Sequence, residues 1–145
     1  RKTINPGINS RLDELQAAIL RIKLKKLDKD NLSRIKQAKF YIDKLHSSNI
    51  ELPKVRKNTI HSFHLFVIQC NKRNKLLKYL KSKKIITALH YKTPIHLMPG
   101  YKSKNKLINT EYLSGKILSL PLYPGLKKID QGRVINEILK FYKNK

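Results

Sequence analysis

A helical repeat of apolar residues runs through the first third of the chain and restricts its fold more than any other feature. Side chains of this kind recur every three or four positions between residues 11 and 46, at Leu12, Leu15, Ile19, Ile22, Leu24, Leu27, Leu32, Ile35, Ala38, Ile42 and Leu45. We expect Ser10 to cap the helix start, with Asp13 three residues on. A continuous helix would be about 50 Å long, so a break is expected at residues 28–31. An arm of this length should pack against something outside this chain.

The remaining residues alternate between strand and helix patterns. Residues 47–59 have the composition of a linker, and strands are predicted at 62–70, 85–91 and 119–125. Helices are predicted at 73–84, 110–118 and 130–145, the last two capped by Thr110 and Asp130. The sequence therefore predicts an α/β fold, with helices covering one face of a small sheet.

The chain is strongly basic, with 33 Lys and Arg against 9 Asp and Glu and a net charge of +24. Such a charge is typical of a nucleic-acid-binding module. However, the excess is almost entirely lysine, whereas arginine is the better reader of bases and phosphates. The lysines are also spread along the whole chain. A solvated basic surface is therefore the preferred interpretation, and a standalone nucleic-acid-binding module is the alternative.

Several classes of site are not indicated by the sequence. Cys70 is the only cysteine, so it cannot form an internal disulfide, and its apolar neighbours predict a core position in a cytoplasmic protein. No zinc motif, nucleophile elbow or glycine-rich phosphate loop is present. No apolar run reaches the length of a membrane span. Because the chain opens with Arg1 and not Met, we expect it to be a piece of a longer protein.

Two short stretches could bind a ligand. In the first, Gly7, Asn9 and Arg11 lie next to a predicted helix start, where donors and the helix dipole favour a phosphate. The alternative is that Asn9 and Ser10 only cap the helix.

The second stretch is the loop that follows the strand predicted at 85–91. His90, Tyr91, His96 and Tyr101 are concentrated there and suit recognition of a polar ligand. The alternative is a proline-stiffened loop with partly buried aromatic residues.

Three segments of the chain resemble one known family. They are "GINSRLDELQAAILRIKLKKLD" (7–28), "LHYKTPIHLMPGYK" (89–102) and "TEYLSGKILSLPLYPGL" (110–126). Together, and in this order, they resemble the DegT/DnrJ/EryC1/StrS nucleotide-sugar aminotransferases. The resemblance implies the C-terminal portion of a fold-type-I enzyme that depends on pyridoxal 5'-phosphate (PLP). Residues 1–46 would form the interdomain and dimer-interface segment, and residues 47–145 the small C-terminal domain.

The resemblance also implies roles for particular residues. Asn9 would bind the phosphate of the partner subunit's cofactor across a homodimer interface formed by the first helix, with Arg11 beside it. His90, Tyr91 and His96 would line the pocket for a nucleotide-linked keto sugar. One departure is that Lys92 follows Tyr91 where family members often have proline, which here comes at Pro94.

The reaction implied is amino transfer from glutamate to the keto sugar. The large domain, with the lysine that holds the cofactor, would lie outside this chain, so no catalytic residue is assigned within it. A histidine in place of that lysine would indicate a dehydratase.

Overall fold

The structure is a computed structural model that describes residues 13–46, 48–101, 103 and 105–143. Five α-helices and two strands follow in the order α1 Glu14–Leu24, α2 Leu27–Leu45, β1 Phe66–Gln69, α3 Arg73–Ser82, α4 Ile108–Lys116, β2 Ile117–Leu120 and α5 Lys128–Lys143. Short 3₁₀ turns at Ile95–Leu97 and Pro99–Tyr101 occupy the loop before α4.

The two strands form an antiparallel pair that organises the fold. Phe66 is opposite Leu120 and Ile68 is opposite Leu118. Isolated bridges extend the pair on both sides, from Glu51 to Gln69 and from Ala88 to Ser119. The sheet is therefore narrow, with single bridges at its edges.

The hydrophobic core lies between one face of this sheet and helices α2, α3 and α5. Because side chains alternate between the faces of a strand, both strands direct every second residue into the core. The buried cluster comprises Ala38, Tyr41, Leu45, Phe63, Phe66, Ile68, Cys70, Leu76, Leu80, Ile85, Leu118, Leu120, Val134, Ile135 and Ile138. The core position predicted for Cys70 is confirmed.

Polar contacts fix α2 against the rest of the core. The hydroxyl of Tyr41 donates to the carbonyl oxygen of Pro121 at 2.9 Å. The buried amide of Gln131 on α5 donates to the backbone oxygen of Gln37 at 2.7 Å. These bonds satisfy polar groups that would otherwise be costly to bury.

The start and the break of the helical arm differ from the prediction. The N-cap of α1 is Asp13, whose carboxylate accepts from the Gln16 N–H at 2.8 Å, so the expected start at Ser10 is wrong. The break comes at residues 25–26, not 28–31, where the Lys26 N–H bonds to the Lys23 oxygen in a tight turn. Asp28 instead lies in the first turn of α2, where a carboxylate favours the helix dipole.

The predicted strands are shorter than expected. Residues 62–65 are not part of β1, and Phe63 has a positive φ of 47°, which is incompatible with extended backbone. The strand predicted at 85–91 is reduced to the single bridge at Ala88. The third strand begins earlier than predicted, at Ile117, directly after α4.

Two predicted helix caps are also wrong. Helix α4 begins at Ile108 and α5 at Lys128, so Thr110 and Asp130 both lie inside the first turn. At α4 the carboxylate of Glu111 accepts from the Leu107 N–H at 3.1 Å, which satisfies a donor at the helix start.

The position of the core predicts that two isoleucines of α5 contribute very differently to the free energy of unfolding. Ile138 is fully buried, whereas Ile129 is 78% exposed. We expect Ile138→Ala to lower the free energy of unfolding by about 2–5 kcal/mol, because it removes buried methylenes and leaves a cavity. The matched control Ile129→Ala should change it by less than about 0.5 kcal/mol. Urea unfolding measures both, and equal effects would contradict the placement of the core.

Candidate functional site

The loop after Ala88 is attached to the sheet through Ser119. The N–H and the carbonyl oxygen of Ala88 both bond to the backbone of Ser119, at 3.1 and 2.9 Å. Two residues later, the Nδ1 atom of His90 lies 2.9 Å from the Ser119 hydroxyl oxygen. Ser119 lies between Leu118 and Leu120, so its side chain is on the sheet face opposite the core. His90 is therefore held over that second face.

Tyr91 is exposed next to His90. Its ring meets the His90 ring edge to face, with 5.5 Å between centroids and an interplanar angle of 88°. The side chain is 73% exposed, so the phenol faces solvent beside a partly buried imidazole. This pair offers a ligand an aromatic surface together with hydrogen-bonding groups.

His96 lies in the first 3₁₀ turn and has a different partner. Its Nε2 atom is 3.2 Å from the Oε1 atom of Glu111 on α4. The Ser103 N–H donates to the backbone oxygen of His96 at 3.1 Å, which closes the loop on itself. His96 is thus fixed by α4, and its side chain is only 10% exposed.

Glu111 is a partner of the candidate loop that the sequence reasoning missed. The same oxygen accepts from both His96 and the Leu107 N–H. The hydrogen bond from His96, and then that from Leu107, lowers the pKa of the Glu111 carboxyl. The available signal was a glutamate one turn inside a helix start, near a histidine-bearing loop.

The structure brings together only part of the predicted site. His90 and Tyr91 touch each other, whereas the bond described for His96 goes to Glu111. Both histidines are nevertheless fixed by the same short segment of chain, because Glu111 and Ser119 lie on the consecutive elements α4 and β2. Asn9 and Arg11 lie outside the described residues.

Helix α1 is the second notable surface. It buries none of its residues. At about 100° per residue, Leu15, Ile19 and Ile22 form one ridge, and Leu20 and Leu24 form another on nearly the opposite side. All five side chains are exposed, Leu15 to 72%. An open concavity of about 560 Å³ runs along the helix beside Ala18 and Ile22. A helix that is apolar on two sides is suited to burial between two neighbours.

Within the described part of the chain, no group of three or more His, Cys, Asp or Glu side chains is arranged to hold a metal ion. None of its helices is long and apolar enough to cross a membrane.

Comparison with known proteins gives one consistent result. Residues 1–139 match the DegT/DnrJ/EryC1/StrS aminotransferase family. The chain is 36% identical over 137 residues to dTDP-3-amino-3,6-dideoxy-alpha-D-galactopyranose transaminase of Aneurinibacillus thermoaerophilus, with 93% of this chain and 38% of that protein covered. It is 39% identical to dTDP-3-amino-3,4,6-trideoxy-alpha-D-glucose transaminase of Micromonospora megalomicea, with 94% of this chain and 39% of that protein covered.

Solved structures agree with the sequence matches. DesV of S. venezuelae, solved in complex with a ketimine intermediate, superposes with a TM-score of 0.85 at 34% identity, over 94% of this chain and 38% of that one. NtdA of Bacillus subtilis, solved with bound cofactor PMP, gives a TM-score of 0.81 at 31% identity, over 99% of this chain and 35% of that one. The chain thus spans less than two fifths of the length of these relatives.

These matches confirm two predictions made from the sequence. The family resemblance is confirmed, and so is the fold class, that of the C-terminal portion of a fold-type-I aminotransferase. They give no support to the alternative of a standalone nucleic-acid-binding module.

The hydrogen bond between His96 and Glu111 predicts a measurable change in acidity. We expect His96→Ala to raise the pKa of the Glu111 carboxyl towards its ordinary value of about 4.3, because the largest cause of its lowering is removed. Titration of the ¹³C carboxyl signal by NMR measures this directly. The pKa of Glu137, which is lowered chiefly by Lys140, serves as an internal control and should not move.

The same hydrogen bond predicts how the stability of the protein depends on pH. Since the pKa of Glu111 is lowered on folding, its stabilising contribution is present above about pH 4.3 and is lost as the pH falls through the lowered value. An unchanged pKa of Glu111 in His96→Ala would contradict this account of the loop.

Proposed function

Because the chain belongs to the DegT/DnrJ/EryC1/StrS aminotransferase family, we propose that it is the C-terminal part of a PLP-dependent enzyme that transfers an amino group from glutamate to a nucleotide-linked keto-deoxysugar. The product would enter amino-sugar biosynthesis. The observation that carries the proposal is the alignment of nearly the whole chain, at 36–39% identity, with two transaminases of dTDP-linked sugars.

The described lysines do not suit the covalent attachment of the cofactor. Such a lysine must be sheltered and its amine free, but all described lysines except Lys116 are exposed. The ammonium group of Lys116 is hydrogen-bonded to the hydroxyl of Tyr112 and lies over its ring. We therefore place the attachment lysine outside this chain, as the family resemblance implies.

This chain's proposed contribution to cofactor binding is a pair of residues near its start. Asn9 supplies an amide donor and Arg11 a guanidinium, both suited to the phosphate group of PLP. Asp13, the N-cap of α1, lies close by in sequence, so both residues precede the positive end of a helix dipole. When bound, PLP supplies the electron sink for amino transfer.

The proposed substrate site is the loop built on Ser119 and Glu111. His90 and Tyr91 would contact the hydroxyl groups and the ring of the sugar, since a partly buried imidazole and an exposed phenol offer both donors and acceptors. His96 would support the loop and contribute its remaining ring nitrogen. The Glu111 and Ser119 contacts would keep both rings oriented before the substrate arrives.

The proposed partner of α1 is a second copy of the full protein. The helix has two exposed apolar ridges, and a family enzyme offers two surfaces to cover them: its own large domain and the partner subunit. Residues 1–46 would thus be the interface segment and residues 47–145 the small domain, although α2 also contributes to the small domain's core. A cytoplasmic location fits the single, buried Cys70.

The activity is tested by measuring two half-reactions separately in the full-length protein: the one with glutamate and the one with the keto sugar. His90→Ala should raise the KM for a dTDP-linked 3-keto-deoxysugar about tenfold, the cost of about one hydrogen bond. The half-reaction with glutamate should keep its rate, because the donor lacks the sugar. The exposed Asn136→Ala is a matched control that should change neither half-reaction. No amino transfer by the wild-type protein to any such sugar would contradict the proposal.

The dimer is tested by placing charge on the ridges of α1. We prepare Leu15→Asp/Ile22→Asp and Leu20→Asp/Leu24→Asp in the full-length protein. At least one pair should convert a dimer to a monomer in sedimentation velocity, because a carboxylate cannot be buried unpaired at low cost. Ile86→Asp, at a position 87% exposed in a different part of the chain, should leave the dimer intact. A dimer that persists in both ridge variants would rule out an interface through α1.

A further inference from the structure

Helix α3 and the turns on either side of it carry many lysines and no acidic residue. Six lysines occur within thirteen residues, 72–84, and no acidic residue lies among them. We call these residues the lysine flank: Lys72, Lys75, Lys78, Lys81, Lys83 and Lys84. All six are exposed. In α2, by contrast, Asp28, Asp30 and Asp43 are interspersed with the lysines.

The lysines on the helix itself share its outer side. Leu76 and Leu80 are buried and fix the inner side of α3 against the core. At about 100° per residue, Lys75, Lys78 and Lys81 fall within about 120° on the opposite side. Like charges this close together on a helix repel each other, so the spacing of these three lysines does not help to stabilise the helix.

None of the flank lysines forms an ion pair with an acidic group of the described chain. In the described part of the chain, ion pairs join His96 to Glu111 and Lys140 to Glu137, and neither involves a flank lysine. Glu137 already accepts from the Tyr79 hydroxyl at 2.7 Å and from Lys140 at 2.9 Å. Its pKa is lowered chiefly by Lys140 and in small part by Lys83. Arg133 adds a further cation beside the flank, where its guanidinium donates to the Lys83 oxygen at 2.7 Å.

From this arrangement we propose that the lysine flank docks the protein on the surface of an anionic lipid bilayer. Each lysine close to such a surface is attracted by the negative headgroups. The apolar side of α3 is committed to the core, so the contact is electrostatic and does not insert into the bilayer.

The shape and chemistry of the flank favour a bilayer over a nucleic acid. Lysine supplies point charges without the planar fork that reads phosphates and bases. The only aromatic residue of α3, Tyr79, donates its hydroxyl to Glu137 and packs its ring against Phe141 with centroids 5.4 Å apart, so it does not offer a base-stacking surface.

The position of the flank leaves the candidate substrate loop accessible. Helix α3 packs on the core face of the sheet, with Leu118 and Leu120. His90 is held on the opposite face by Ser119. A protein lying on a membrane through α3 would therefore keep the His90 loop turned away from the lipid.

The test compares two triple substitutions of equal net charge in the full-length protein. The flank variant carries Lys75→Gln, Lys78→Gln and Lys81→Gln. The control carries Lys29→Gln, Lys36→Gln and Lys39→Gln at exposed positions of α2. Binding is measured by co-sedimentation with phosphatidylcholine vesicles that contain phosphatidylglycerol as about one lipid in three, a surface that attracts basic segments, and with pure phosphatidylcholine vesicles.

We expect the wild-type protein to bind the anionic vesicles and not the neutral ones. The flank variant should bind about 100-fold more weakly, since three lysine contacts are lost, whereas the control should change by less than about fivefold. Equal losses in the two variants would show a general charge effect and overturn the proposal. So would equal binding to both kinds of vesicle. A flank variant that keeps vesicle binding but loses affinity for duplex RNA would also overturn it and identify a nucleic acid as the partner.

Discussion

The register of the two short strands determines the position of nearly every other feature. Phe66, Ile68, Leu118 and Leu120 all point to the helical side. A one-residue slip of either strand would turn its apolar side chains away from the helices. Because the register is fixed in this way, Ser119 faces away from the core and is available to bind Ala88 and His90. The same pairing therefore builds the hydrophobic core and locates the candidate substrate loop.

Prediction from the sequence was most accurate for the elements whose regularly spaced apolar residues are buried in the core. The apolar spacings in residues 35–45, 76–80 and 134–138 predict the faces that α2, α3 and α5 bury, because each helix has a single apolar side. The same pattern wrongly includes Leu32, which is exposed. The alternation around Phe66 likewise predicts β1. The pattern of residues 85–91 predicted a strand, but the structure has only the single bridge at Ala88 there. The apolar run 85–91 includes Ile86, which is exposed, so its composition does not report burial within the chain.

Caps and loop contacts were less predictable for a physical reason. Thr110 and Asp130 are good cap residues, but α4 and α5 each begin two residues earlier. At the start of α4 the Glu111 carboxylate accepts from the Leu107 N–H. The bonds of His90 and His96 link residues 29 and 15 positions apart, so they depend on the tertiary arrangement. The sequence predicted the histidines as site residues, but it could not predict that Ser119 and Glu111 hold them.

Helix α1 is the feature that most strongly supports the proposed assembly. A helix with apolar ridges on two sides and no buried residue gains nothing from the core of its own domain. Hydrophobic burial is the dominant favourable contribution to folding and association, and in the proposed arrangement it would come from neighbours on both sides. The proposal would explain why a helix that fixes its own start with Asp13 nevertheless leaves five large apolar side chains in solvent.

The most direct test of the account is hydrogen–deuterium exchange of the full-length protein with PLP bound. The quantity to measure is the protection of the amides of Glu14–Leu24, compared with those of Lys128–Lys143 in the same sample. The account predicts similar protection of the two helices, because α1 would be buried between two neighbours. Rapid exchange throughout α1, with α5 still protected, would show that the helix stays uncovered and would contradict its role as an interface.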